Sequence, residues 1–157
     1  MNLSLDVDSA LCTYDPDDNP GGLLCQLEDG WALLHQAARL WDLLGSDRGE
    51  RLRRMMREEL DPGEEPVAYA APSQIARLAE LLDGVVAAAE GALVDADWRL
   101  RPELRERVER EAPGLGEVTT DAEGRPIYTL ARTLSSLEMA GRFLADALRL
   151  GCFVIIE

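Results

Sequence analysis

The spacing of apolar residues changes along this chain, and the change limits the folds that it can adopt. Leu3, Leu5 and Val7 alternate with polar residues, a period of two that is typical of a half-buried β-strand. From about residue 28 the apolar residues recur every three or four positions, as they do along one face of a helix. Residues 152–156 then form a continuous apolar run. We therefore predict a single α+β domain over residues 1–157, mostly helical, with a small sheet formed by the terminal strands and the segment near Val67.

The predicted helix boundaries follow from turn-forming and capping residues. Helices are predicted over about residues 28–44, 48–60, 73–90 and 128–150, with two short helical pieces between residues 95 and 110. Ser73 is the predicted N-cap of the third helix, and Gly45 and Gly151 are placed to end the first and the last. Residues 15–22 are predicted to form a loop, and residues 113–126 a long loop or an irregular hairpin. The first and last strands can pair and bring the two ends together.

Acidic residues are concentrated in the first 38 residues, which contain seven carboxylates and no basic side chain. These seven supply half of the formal net charge of -14. A surface of this kind repels nucleic acid and anionic lipid, and it attracts a basic protein partner. The carboxylates are those of Asp6, Asp8, Asp15, Asp17, Asp18, Glu28 and Asp29.

The composition excludes several kinds of chemistry. All sixteen positive charges are arginine, which rules out a lysine Schiff base and a Walker A phosphate loop. The chain has no serine-hydrolase or dinucleotide-binding motif, and we expect neither enzymatic activity nor a cofactor. Cys12, Cys25 and Cys152 are too widely spaced for a zinc site or a disulfide framework. Without a membrane-length apolar run or a secretory signal pattern, we expect a cytoplasmic protein that binds neither membrane nor nucleic acid.

The acidic loop resembles the start of a calcium-binding loop, in which oxygen ligands stand at positions 1, 3 and 5. Asp15, Asp17 and Asn19 occupy these positions. The motif then fails, because position 6 is Pro20 instead of glycine and position 12 is Gln26 instead of glutamate. We interpret the segment as a solvated acidic turn and expect no metal.

Three other segments share short motifs with one bacterial family. They are Trp-Ala-Leu-Leu-His at residues 31–35, the extended residues 67–71 followed by Pro-Ser-Gln-Ile, and residues 137–139 through the glycine and apolar run at 151–156. In these segments the chain resembles the YfbM-like family, a domain of unknown function. The first 30 residues differ from that family, because its methionine-glycine start is absent here and the loop at residues 15–22 differs from its usual strand-then-helix opening. The resemblance implies an α+β fold, and it implies no activity because the family has no agreed one.

The leading functional hypothesis is a non-enzymatic module that binds a basic protein. It would be of the immunity or inhibitor type and would neutralise a partner such as a bacterial toxin, since opposed charge accelerates association. The seven carboxylates above are the predicted contact residues, with Tyr14 as an aromatic anchor. The oligomeric state is left open.

The alternative hypothesis is a small-molecule-binding domain or weak enzyme of the YfbM-like type. Its pocket would lie near Trp31, His35 and Trp41, with Tyr69 or Tyr128 as a wall, because two tryptophans and the single histidine share one predicted helix. The competing interpretation is that the tryptophans anchor the core. His35, one turn after Trp31, would then pack against the indole and bond to a backbone carbonyl.

Two further segments are rich in charged residues. Alternating signs over residues 95–111 predict exposed ion pairs along helices rather than paired catalytic carboxylates. The five arginines of residues 48–57 predict an intramolecular contact with the acidic N-terminal region.

Overall fold

The computed structural model describes residues 3–7, 10–14, 24–27, 29–60, 68–151 and 153–157. Helices predominate in this part of the chain, beside a five-stranded sheet and a two-stranded hairpin, which confirms the mostly helical α+β class. The strands are β1 (Leu3–Val7), β2 (Ala10–Tyr14), β3 (Leu24–Leu27), β4 (Ala68–Ala70), β5 (Val118–Thr120), β6 (Pro126–Tyr128) and β7 (Phe153–Ile156). The helices are α1 (Gly30–Leu43), α2 (Arg48–Glu58), α3 (Pro72–Leu82), α4 (Val85–Leu93), α5 (Arg105–Glu111) and α6 (Thr129–Leu150), with a 3-10 turn at Pro102–Leu104 before α5.

The strand order of the large sheet is β1-β2-β3-β7-β4. β1, β2 and β3 pair antiparallel in chain order, β3 is parallel to β7, and β4 is antiparallel to β7. The terminal strands and the segment near Val67 therefore share a sheet, although Val67 itself lies outside the described residues and β4 begins at Ala68. The prediction that the first and last strands pair is wrong. The chain folds back twice through β2 and β3, and it is β3 that meets β7.

The C-terminal strand is covered on one side only. Val154 and Ile156 are buried, whereas Phe153 is 46% exposed. An apolar run of this composition predicts a strand that is buried throughout, and in this respect the prediction is wrong. The start of α1 is fixed against this strand, because the Trp31 backbone N–H donates to the Glu157 carbonyl at 2.8 Å. This hydrogen bond joins the start of α1 to the residue that follows β7.

Three glycines in left-handed backbone conformations set where helices end. Gly45 (φ 75°) and Gly151 (φ 70°) follow α1 and α6, which confirms both predicted stops. Gly84 has the same conformation (φ 78°) inside the predicted third helix. The single helix predicted over residues 73–90 is therefore wrong, because it is broken into α3 and α4. The apolar period survives the break, and Val85 and Ala89 are buried as predicted.

Two predicted local details also differ. Ser73 is not the N-cap, because α3 begins one residue earlier at Pro72, whose fixed φ suits the first helical turn. The side-chain oxygen of Gln74 accepts the backbone N–H of Ala71 at 2.8 Å and takes the capping role. The first short helical piece expected after residue 95 is absent from the described chain, where an antiparallel bridge joins Val94 to Leu100.

The core lies between the helices and the covered face of the sheet. None of the charged or polar residues whose burial the structure describes is buried. α6 buries Leu130, Leu134, Leu137 and Leu144 as its period predicts, together with Phe143. Gly141, which that period also places inward, is only half-buried and borders a surface groove described below.

The segment between α5 and α6 forms the hairpin β5–β6, one of the two predicted alternatives. Its turn is held by Asp121, whose Oδ1 accepts the backbone N–H of Arg125 at 2.8 Å and that of Glu123 at 2.9 Å. The bond from the Arg125 backbone N–H, more than any other contact, holds the pKa of Asp121 below its ordinary value. The ionised carboxylate therefore stabilises this turn above the ordinary aspartate pKa, and the contribution is lost as the pH falls through the lowered one.

Candidate functional site

A surface groove of about 670 Å³ lies where α3, α4 and α6 meet. Its floor is apolar and is formed by residues that include Leu82, Val86 and Leu137. Its border is acidic, and the described residues that line it include no arginine. The four bordering carboxylates are those of Glu80, Asp83, Glu90 and Glu138.

The groove exists because the chain breaks and because small residues line it. The break at Gly84 turns α4 away from the line of α3, and both helices face α6 across the opening. Ala79, Ala87 and Ala145 add little side-chain volume. A Cβ built on Gly141 would meet no atom within 4 Å, so this helical position opens directly into the groove.

The wall of the groove at the end of α3 is held by α1 and α2. The indole Nε1 of Trp41 donates to the Leu81 carbonyl at 2.7 Å, and an Arg48 guanidinium nitrogen donates to the Asp83 carbonyl at 3.1 Å. The Arg48 guanidinium also lies over the Trp41 ring, 4.9 Å from its centroid. Both donors meet carbonyl groups at a helix C-terminus, where the helix dipole favours positive charge. They fix the edge from which Asp83 borders the groove.

The negative charge of the groove is only partly neutralised. Glu138 pairs with Arg142 at 2.6 Å. Glu80, Asp83 and Glu90 form no ion pair with any residue that the structure describes. An apolar floor bordered by carboxylates can accept a segment that has an apolar seam and flanking positive charges.

The predicted acidic site is placed only in part. Asp6 lies on β1, the edge strand of the sheet, and Tyr14 is the last residue of β2. Asp29 is exposed immediately before α1, with a left-handed backbone (φ 55°). The remaining members, Asp8, Asp15, Asp17, Asp18 and Glu28, lie outside the described residues, as does the calcium-like loop. Sequence reasoning missed the groove carboxylates, because Glu138 on α6 is distant in sequence from the three near α3 and α4, and the four become a set only when the three helices meet.

The residues assigned to the predicted aromatic pocket differ in their burial. Trp41 is 5% exposed and belongs to the core, which confirms the competing interpretation for this residue. Trp31 is half-buried, and His35 is exposed, so His35 lies at the edge of the apolar stripe or beyond it. The stripe passes through Leu34 and Ala38 instead.

The two tyrosines assigned to that pocket lie on different strands. Tyr69 lies on β4, and Tyr128 lines a cavity beside the hairpin β5–β6. Neither Trp31, His35 nor Trp41 lines that cavity.

The charged segments form fewer contacts than their spacing predicts. Among the described residues 95–111, one ion pair is present, between Arg107 and Glu111 at 2.8 Å. Within α2, Arg53 reaches Asp42 on α1 with both terminal nitrogens, and the hydrogen bond to Asp42 raises the pKa of Arg53 above its ordinary value. The predicted contact of this arginine patch with the acidic N-terminal region falls largely on residues outside the described chain.

The chain matches no family model, no curated protein and no solved structure in the comparisons. The resemblance to the YfbM-like family therefore stays a prediction. Within the described ranges, no helix has both the length and the apolarity that crossing a membrane requires. In the same part of the chain, no group of three or more histidine, cysteine, aspartate or glutamate side chains is arranged to hold a metal ion.

Proposed function

We propose that this protein binds a basic protein partner and neutralises it, in the manner of an immunity or inhibitor protein acting on a bacterial toxin. The observation that carries the proposal is the groove between α3, α4 and α6, with its apolar floor and four bordering carboxylates. The occupant would be an amphipathic segment whose apolar side chains contact Leu82, Val86 and Leu137 while its flanking lysines or arginines meet the acidic border. The protein itself performs no catalysis in this proposal, and it acts in the cytoplasm.

The charge of the whole molecule supports the same function. The formal net charge is -14, and every charged side chain that the structure describes reaches solvent, so the charge acts at the surface. A field of this sign accelerates encounter with a basic protein and repels nucleic acid. The acidic N-terminal block, with Tyr14 as an anchor, is proposed as a second contact region for the same partner.

The groove accounts for specificity as well as attraction. Long-range charge raises the association rate of any basic molecule. The apolar floor, in contrast, stabilises only a complex with a segment that has a matching row of apolar side chains. Because Gly141 lines the groove and has open space where a Cβ would lie, a bulky side chain of the partner can approach the α6 backbone closely.

Neutralising the groove border is expected to weaken binding of a basic amphipathic peptide more than neutralising an equal charge elsewhere. The variant Glu80→Gln/Asp83→Asn/Glu90→Gln should bind a fluorescent lysine–leucine helix of about 15 residues about tenfold less tightly, a loss of about 1.4 kcal/mol. Fluorescence anisotropy at about 0.05 M salt, where charge interactions are strong, measures the dissociation constant.

The matched control removes three carboxylates near α5, all exposed and none lining the groove. This control is Glu103→Gln/Glu106→Gln/Glu109→Gln, which has the same net charge as the groove variant. The control should bind the peptide within about twofold of the unmodified protein, because distant exposed charges are screened. Equal weakening in the two variants would show that net charge alone attracts the peptide, and it would contradict the proposed groove.

The small-molecule alternative is left without support at its predicted position, since Trp41 is in the core and His35 is exposed. A cavity that does include Tyr128 lies elsewhere and has a different chemistry, because two arginines line it.

A further inference from the structure

A second cavity, of about 400 Å³, lies between the hairpin β5–β6 and the turn before α5. Its volume falls within the range of small-molecule sites. Leu100, Leu115 and Leu130 form part of an apolar wall, and two arginines, Arg99 and Arg105, also line the cavity. The cavity shares no lining residue with the acidic groove.

The loop that presents Arg99 is held in a strained conformation. Trp98, immediately before it, has a left-handed backbone (φ 62°), which is costly for a large residue and persists only where surrounding bonds impose it. Those bonds come from Asp95, whose backbone N–H donates to the Arg99 carbonyl at 2.9 Å and whose Oδ1 accepts the Arg99 N–H at 3.1 Å. The Arg99 guanidinium lies 5.4 Å from the centroid of the Tyr128 ring, which also lines the cavity. The position of this arginine is thus fixed from two sides.

The two guanidinium groups retain donors for a ligand. Arg99 and Arg105 form no ion pair with any described residue. Two carboxylates also line the cavity, those of Asp95 and Glu117. Oδ1 of Asp95 already accepts two backbone N–H groups of its own turn, from Asp97 at 2.9 Å and from Arg99, and the Glu117 residue is exposed.

We propose that this cavity binds a small organic anion in which a carboxylate or phosphate is joined to an apolar or aromatic body. Guanidinium groups match the planar donors and charge that such an anion requires, and the leucine wall and Tyr128 accept its apolar part. This site goes beyond binding of a basic partner, since it takes a ligand of opposite charge at a different place on the molecule.

The test is an NMR titration of the ¹⁵N-labelled protein with phenyl phosphate, phenylacetate and neutral benzyl alcohol. We expect at least one of the two anions to shift the amide signals of residues 95–105 and 115–130. Benzyl alcohol should bind at least about tenfold more weakly than that anion. Comparison of the two anions distinguishes phosphate from carboxylate as the preferred group, and inorganic phosphate measures the contribution of the charge without the ring.

Variants of two exposed arginines on α5 decide the role of the cavity. Arg105→Gln should weaken anion binding about tenfold, whereas Arg110→Gln, whose side chain does not line the cavity, should leave it unchanged. Thermal unfolding of both variants checks that each remains folded. The proposal is overturned if neither anion shifts these signals at about millimolar concentration, if benzyl alcohol binds as tightly as the anions, or if the two variants bind alike.

Discussion

Replacing Trp41 with alanine is expected to lower the free energy of unfolding by about 3–5 kcal/mol. The side chain is 5% exposed, and its removal leaves a large cavity within the core. It also removes the indole N–H donor from the Leu81 carbonyl at the end of α3 and the ring beneath the Arg48 guanidinium. Urea denaturation followed by circular dichroism measures the loss.

The other tryptophans provide the comparison. Trp98 is 48% exposed, and Trp98→Ala should change stability by about 0.5 kcal/mol or less, because alanine keeps the Cβ and so retains the cost of the left-handed backbone. Trp41→Phe keeps most of the apolar volume and isolates the loss of the hydrogen bond, which should cost about 1–3 kcal/mol. Equal costs for Trp41→Ala and Trp98→Ala would contradict the placement of Trp41 in the core.

Two helical glycines are expected to respond to alanine with opposite signs. A Cβ on Gly49 would lie 2.7 Å from the Ala38 carbonyl oxygen and 2.5 Å from Oδ1 of Asp42, because α1 and α2 approach closely there. Gly49→Ala should therefore destabilise the protein by about 1–3 kcal/mol through overpacking. A Cβ on Gly141 meets nothing within 4 Å, and Gly141→Ala should stabilise it by about 0.5–1 kcal/mol, since alanine favours the helix.

Gly91 on α4 is the matched control for this pair. Its Cβ would also meet nothing within 4 Å, so Gly91→Ala should stabilise the protein as Gly141→Ala does. Thermal unfolding of the three variants in one buffer is sufficient. If Gly49→Ala and Gly141→Ala changed the stability in the same direction, the close approach of α1 to α2 at Gly49 would be contradicted.

The sequence predicts those parts of the fold that depend on local periodicity. The apolar stripes of α1 and α6 and their terminal glycines lie where the pattern places them, because burial of one helix face and a left-handed C′ glycine are local requirements. The break at Gly84 escapes prediction because Leu82, Val85 and Ala89 keep a helical period across it and all three are buried. A periodic pattern records which side chains face the core, and it does not record whether the backbone between them is continuous.

The sheet and the groove depend on contacts between distant residues. β2 and β3 have no clear alternation of apolar and polar residues, and they are strands because of their neighbours in the sheet. Their register places Cys12 opposite Cys25, a juxtaposition that the spacing of the cysteines gave no reason to expect. The groove requires three helices and one open glycine, and sequence alone does not distinguish the open Gly141 from the crowded Gly49.

Filling the groove tests the central proposal most directly. Gly141→Leu places a bulky side chain in the open space on the groove floor, and Gly91→Leu places the same side chain at an open position that does not line the groove. In a pull-down from an extract of the source organism, the unmodified protein and Gly91→Leu should retain the same basic protein at low salt and release it at high salt, whereas Gly141→Leu should not retain it. Capture of that protein by Gly141→Leu at an undiminished level, or the absence of any salt-sensitive basic partner, would contradict the proposal.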